Sequence, residues 1–173
     1  MDNSIEYSVL KRTFTALQIA LLIYVHNRDD IFEKDFVNEI FSKVLEYYSK
    51  ETDLRGYDES VGWIHSIAHS ADMFSRLAEC TELVNNDYER MMDEICIKFQ
   101  ISTYTYVSDE DERTVSAIIK LLERDRLSKE YILSWVTRLG DYDRPKMYPE
   151  VYRINSNVKN LLRSLYFRIL KTE

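Results

Sequence analysis

The chain is short of the residues that make tight turns. Its 173 residues include three glycines and two prolines, where an average protein carries roughly 12%, or about 20 in a chain this long. Sandwiches, barrels and Greek keys turn on those residues, and the shortage excludes them. Gly56, Gly62 and Gly140 fall in no G-x-G, G-x4-G-K or G-x-S-x-G pattern, so dinucleotide cradles, Walker loops and nucleophile elbows lack their residues. Cysteine is scarce too. Cys80 and Cys96 match no metal or redox spacing, and Met1 to Glu6 is acidic and polar where a secretory signal would begin basic. They read as reduced, buried thiols of a cytoplasmic protein. Basic charge is in the minority, 23 Lys and Arg against 30 Asp and Glu for a net −7, which argues against nucleic-acid and anionic-membrane partners. The most apolar run, Ala16 to Val25, contains Gln18 and is half the ~20 residues a bilayer needs, so it reads as a buried helix segment.

What is present describes one globular domain over residues 1–173, 45% hydrophobic and 31% charged. Helical period runs almost throughout. The first helix is expected from Ser4 to Asn27, with Ile5, Val9, Leu10, Phe14, Leu17, Leu21 and Tyr24 or Val25 buried. The second runs from Asp30, opened by Asp29-Asp30, to Lys50, and the third from Val61 to Cys80. Asn86-x-x-Glu89 and Ser108-x-x-Asp111 read as capping boxes for the fourth and fifth, reaching Gln100 and Arg124. Ser128 caps a sixth, to Leu139, and Asn155 a last, to Leu170. The fold expected is all-α, about seven helices in antiparallel pairs. Pairs beginning near residues 4, 61 and 109 repeat at roughly 50, near the ~40–47 of two-helix solenoid units. No residue-level self-similarity accompanies that spacing, so a HEAT/ARM-like solenoid fragment and a compact helical bundle both stay open.

One stretch stands out. Asp53-Leu54-Arg55-Gly56-Tyr57 and the run from Gly62 to Asp72 hold two of the three glycines, Trp63, and two of the three histidines. On a continuous helix His69 lies about 40° from His65, and Asp72 about 20° to its other side. The three then share a stripe at the flank of an apolar face made by Ile64, Ile67, Ala68, Ala71 and Ala78. Three readings compete. His65, His69 and Asp72 can hold a divalent metal, with Asp53, Asp58 or Glu59 as a fourth ligand. His65 and Asp72 can act as acid and base in a small-molecule site. Or the histidines and Asp72 hydrogen-bond to the Asp53–Ser60 loop and hold it in place. Ser66, Ala68, Ser70 and Ala71 suit the last, because small side chains admit a close neighbour.

The Asp53–Asp72 segment, DLRGYDESVGWIHSIAHSAD, resembles the signature of the bacterial DUF2785 family, D-x-R-G-Y … G-W-x-H-x-x-A-H-x-A-D. Ser8 to Leu17 is similar to the family's R-S/T-F-S/T-x-L helix, and Asp109-Glu110-Asp111-Glu112-Arg113 and Ser134-Trp135 to its E-D-x-R and Trp-containing helices. The resemblance spans Ser8 to Leu139. Ser70 stands where the family often has Gly, and relatives usually carry helices before the Arg12 helix, so a short or N-terminally truncated member is expected. The resemblance implies an all-helical, HEAT-like fold and brings no established activity. Its signature positions here are Asp53, Arg55, Gly56, Tyr57, Gly62, Trp63, His65, His69, Asp72 and Arg113.

Other features are weaker. Glu110, Asp111 and Glu112 read as a solvated helix start, while Arg113 can cross to Asp53 or Asp72. The charges from Val151 to Thr172 sum to +5, with Lys159 and Arg163 on one face and Arg168 off it, which reads as a solvated surface. The clusters among the 13 tyrosines, such as Tyr142, Tyr148 and Tyr152, read as amphipathic packing. His26 carries no assigned chemistry. The function expected is a non-enzymatic scaffold or interaction module, with a polar groove bordered by Asp53, Arg55, Tyr57, Trp63, His65, His69, Asp72 and Arg113. A divalent-metal- or small-molecule-binding protein, a hydrolase among its forms, is the alternative. A protein partner, or a second copy on an open apolar helix face, fits either.

Overall fold

Seven helices form among the described residues, and they sort into two layers. The computed structural model describes residues 3–142 and 147–171, the first five by backbone alone. Pro145, Thr172, the ends of the chain and the Ile5 side chain lie outside the described residues. The helices are α1 (Asn3–Asp29), α2 (Lys34–Lys50), α3 (Ser66–Leu77), α4 (Asn85–Phe99), α5 (Glu110–Glu123), α6 (Lys129–Gly140) and α7 (Glu150–Leu170). Packing follows next-but-one order. α3 lies between α1 and α5, and α5 between α3 and α7, while α2, α4 and α6 line up as the second layer. A two-stranded hairpin, β1 (Tyr57–Asp58) and β2 (Gly62–Trp63), precedes α3.

Tyr48, Phe41, Phe74, Phe99 and Trp135 are fully buried between the layers. The Trp135 Nε1–H donates to the Met92 carbonyl at 2.6 Å, so the ring's polar edge is satisfied inside the core. α3 is buried nearly all round. Ile67, Ala68, Ala71 and Ala78 sit inside as the apolar stripe requires, and Ile64 just before the helix is sealed as well. Its serines are satisfied locally: Ser66 Oγ donates to the Asp53 carbonyl at 2.5 Å and Ser70 Oγ to the Ser66 carbonyl at 2.7 Å.

Helix starts differ from the sequence reading in ways that local chemistry explains. Asp30, at φ 51°, stops α1 rather than opening α2, and its N–H returns to the His26 carbonyl at 2.7 Å. Asp109 is left-handed at φ 63°, and the Ser108 N–H goes to the Glu110 carboxylate at 2.8 Å, so no Ser108–Asp111 box forms. α4 opens at Asn85, with the Asp87 carboxylate accepting from the Val84 N–H at 2.9 Å in place of an Asn86–Glu89 pair. The Ser128 cap forms, accepting from the Tyr131 N–H at 3.1 Å. α7 starts at Glu150, which leaves Asn155 inside the helix, where it accepts from the Tyr142 hydroxyl.

The buried face of α1 also differs. Val9, Thr13, Ala16, Ala20, Ile23 and His26 are inside, whereas Phe14, Leu21 and Tyr24 are exposed. α1 is apolar on both sides, so period alone could not choose. Its small-residue stripe wins because it meets the small residues of α3 and lets the two backbones approach. By length and composition Ser8–Asp29 is long and apolar enough to cross a bilayer, a longer window than the ten-residue Ala16–Val25 run.

Candidate functional site

The site begins where α2 ends. Glu51 is 5% exposed and accepts from Arg12 through both carboxylate oxygens, at 2.8 and 3.0 Å. Its Oε1 also takes the Thr52 and Asp53 N–H groups at 3.0 and 2.9 Å. Burial alone would raise the Glu51 carboxyl, but the Arg12 guanidinium and those two amides together hold it below its usual value. Two residues on, Arg55 donates to both oxygens of Asp53, at 2.9 and 2.7 Å, and to Asp58 at 2.6 Å. Asp58 in turn accepts from the Ser60 N–H and hydroxyl, and these bonds draw its carboxyl down to about 2. The loop is a closed ionic knot.

The hairpin follows from that knot. The Gly56 carbonyl accepts from the Ile64 and His65 N–H groups at 2.8 and 3.2 Å, and Tyr57 pairs with Trp63 across the strands. Gly62 turns the chain at φ 83°, a conformation that L side chains rarely adopt. Gly56 has another task. A Cβ there would collide with the Ser108 side chain and the Glu110 carboxylate, so the loop lies flat on the start of α5.

The expected single-helix stripe does not form at its first member. Val61 to His65 is not helical; β2 occupies Gly62 and Trp63, and His65, at φ 50°, is the residue from which α3 starts. His65 stacks on Trp63 with ring centroids 4.5 Å apart and planes 14° off parallel, and its centroid is 5.8 Å from that of His69. His69 is 8% exposed, beside Phe14 at 6.3 Å. Burial pushes both imidazoles below their ordinary value; for His69 the Asp72 charge and a hydrogen bond to the Thr13 backbone pull the other way. Asp72 and Arg113 form an ion pair across α3 and α5, one of the two crossings the sequence allowed. The structure therefore brings His65 and His69 together, commits Asp72 to Arg113, and closes Asp53 on Arg55. Tyr57 and Trp63 hold their rings outward, 50% and 57% exposed.

Among the described residues, one trio brings three ligand atoms within 4.8 Å of one another, and it is His26, Cys80 and Glu82. Sequence reasoning missed it because 54 and 56 positions separate His26 from the other two. Its hydrogen bonds explain it without an ion. His26 Nδ1 accepts from the Phe32 N–H at 3.2 Å, so the ring's proton is on Nε2, 3.3 Å from Glu82. The Cys80 thiol donates to Asn27 Oδ1 at 3.1 Å, and burial, with Glu82 and Glu79 nearby, pushes it up to about 12. Glu110 was missed too. It is 1% exposed rather than solvated, and burial raises its carboxyl.

A cleft of about 750 Å³ runs between α1, α3, α5 and α7. Asp72 and Arg113 border it, as do Leu17, Leu21 and Tyr24, but neither histidine does. The family model for a protein of unknown function, DUF2785, matches residues 1–167. The chain belongs to DUF2785. That match is wider than the Ser8–Leu139 span that carries the signature. No curated protein and no solved structure matches the chain. As a DUF2785 domain, the chain ties the signature's charged residues to one another or, for Arg113 and Asp72, across two helices.

Proposed function

We propose that this DUF2785 domain is a non-enzymatic scaffold or interaction module, a short HEAT-like array, and that the Asp53–Asp72 segment is the clasp that sets the array's geometry. The observation that carries the reading is the satisfaction of the signature's charges from within: Arg55 by Asp53 and Asp58, Asp72 by Arg113, and Glu51 just ahead by Arg12. Groups so committed are poor acids, bases or ligands and good fasteners. Two exposed aromatic rings, Tyr57 and Trp63, and a cleft with both apolar and charged walls are features of the kind a protein partner uses. The layered next-but-one packing suits such a role, since each added helix extends a continuous face.

One observation favours a second reading. Nδ1 of His65 and Nδ1 of His69 are both buried without a hydrogen-bond partner among the described residues, and a divalent ion would use such atoms. Asp72 would have to leave Arg113 to complete that site. Elemental analysis of the purified protein beside His65→Ala, His69→Ala separates the two. The clasp predicts no stoichiometric metal in either protein; one equivalent in the wild type, lost in the variant, overturns it in favour of the metal site.

A further inference from the structure

The charged face of the last helix divides into two parts. Arg153 donates to the Ser102 carbonyl at 3.1 Å, and Arg168 pairs with Glu112 at 3.5 Å, so both serve the fold. Lys159 and Arg163, one turn apart on α7, are exposed and have no carboxylate partner among the described residues. Between them and the end of α6 lies a hollow of about 490 Å³, walled by Tyr142, Leu162, Tyr166 and Phe167. Its size falls in the ~300–1,000 Å³ range of small-molecule sites, which are mostly apolar with a few placed polar groups. Tyr166 and Phe167 are each 60% exposed and meet edge to face with centroids 5.5 Å apart. At Gly140 no heavy atom of the described residues lies within 4 Å of where a Cβ would stand, so none of them closes this edge of the hollow.

We propose that this hollow is a binding site for a small amphiphilic anion, a carboxylate or sulfonate on an aromatic or branched apolar body. The body packs on Leu162, Tyr166 and Phe167, and the anion meets Lys159 and Arg163, whose i,i+4 spacing sets two donors side by side. The net −7 of the chain opposes an anionic bilayer; the two cations on the rim act on a small anion at short range, where that wider field counts for little. The site is independent of the clasp and of the interaction reading.

The probe is 8-anilinonaphthalene-1-sulfonate, followed by its fluorescence, beside N-phenyl-1-naphthylamine, which has the same rings and no charge. The wild type is expected to bind one equivalent of each. Lys159→Gln, Arg163→Gln should weaken the sulfonate roughly tenfold and change the neutral probe by less than about twofold. Tyr166→Ala should weaken both. Thermal unfolding of each variant confirms that the fold persists, and Arg153→Gln, placed outside the hollow, should leave both probes unchanged. A sulfonate affinity that ignores the Lys159, Arg163 pair overturns the proposal. So does a dimer, seen by light scattering, whose formation excludes the probe, because the hollow would then be a contact between copies.

Discussion

Gly56 lies directly against Ser108: with any side chain at position 56, the hairpin loop could not rest on the start of α5. This contact joins the signature loop to the Glu110 helix, and the same helix carries Arg113 to Asp72. Three glycines in three settings make it measurable. Gly56→Ala should cost about 3 kcal/mol in urea unfolding, because the obstruction is a Cβ close to backbone. Gly62→Ala, which meets no atoms but needs φ 83°, should cost about 1 kcal/mol. Gly140→Ala, in open space at the end of α6, should be neutral or stabilise by up to about 1 kcal/mol. An equal effect at all three would remove the close approach from the account.

Two of the long-range ion pairs, Arg12–Glu51 and Asp72–Arg113, should differ in weight. Glu51→Ala removes the acceptor of two backbone amides and of Arg12 from a buried position, at a cost of about 2–4 kcal/mol. Asp72→Asn acts on a pair whose side chains are 31% and 43% exposed, and should cost less than about 1 kcal/mol. Chemical denaturation of both variants gives the comparison, and a larger loss at Asp72 contradicts it.

Acid should weaken the fold through the histidines. His65 and His69 are both held below their ordinary value in the folded chain, chiefly by burial. Their neutral forms are therefore favoured on folding. That contribution is complete above the unfolded value of about 6.5 and is lost as pH falls from there toward the folded values. Glu110, raised by burial, acts in the opposite sense, favouring the fold at lower pH. The difference between wild type and His69→Gln isolates the imidazole. The wild type should lose more stability between pH 7.5 and 5, and parallel curves would contradict a buried neutral His69.

Tyr57 and Trp63 should be dispensable for folding. Both are at least half exposed, and the Trp63 ring contributes its stacking on His65 and an edge contact with Tyr57. Trp63→Ala is expected to cost about 1 kcal/mol or less. A collapse of stability would place the ring in the clasp and not on the interaction surface.

Much of this fold could be read from sequence, and the exceptions have physical causes. Helical period marked all seven helices of the described residues, since each buries apolar side chains against a packed neighbour. It failed at Val61–His65, where the apolar spacing of Val61 and Ile64 imitates a helix while Gly62 and the Gly56 carbonyl fold a hairpin. It failed on the face of α1, because the choice between Leu21 and Ala20 rests on what α3 offers as a partner. Gly56 and Gly62 both fall in the signature segment, and their tasks differ. Gly56 makes the close approach and Gly62 the turn, because the neighbour of Gly56 is 52 residues away at Ser108. Glu51 and the His26–Cys80–Glu82 trio carried no local signal at all. Their partners are set by tertiary packing.

The claim that the signature is a fastener and not a metal or catalytic centre is tested most directly by thermal unfolding of the wild type and of His65→Ala, His69→Ala, each with and without EDTA. A fastener predicts a midpoint about 5–10 °C lower in the variant, from a lost aromatic stack and a cavity at His69, with no response to EDTA in either protein. A wild-type midpoint that falls with EDTA and returns with added zinc, or a variant as stable as the wild type, would contradict it.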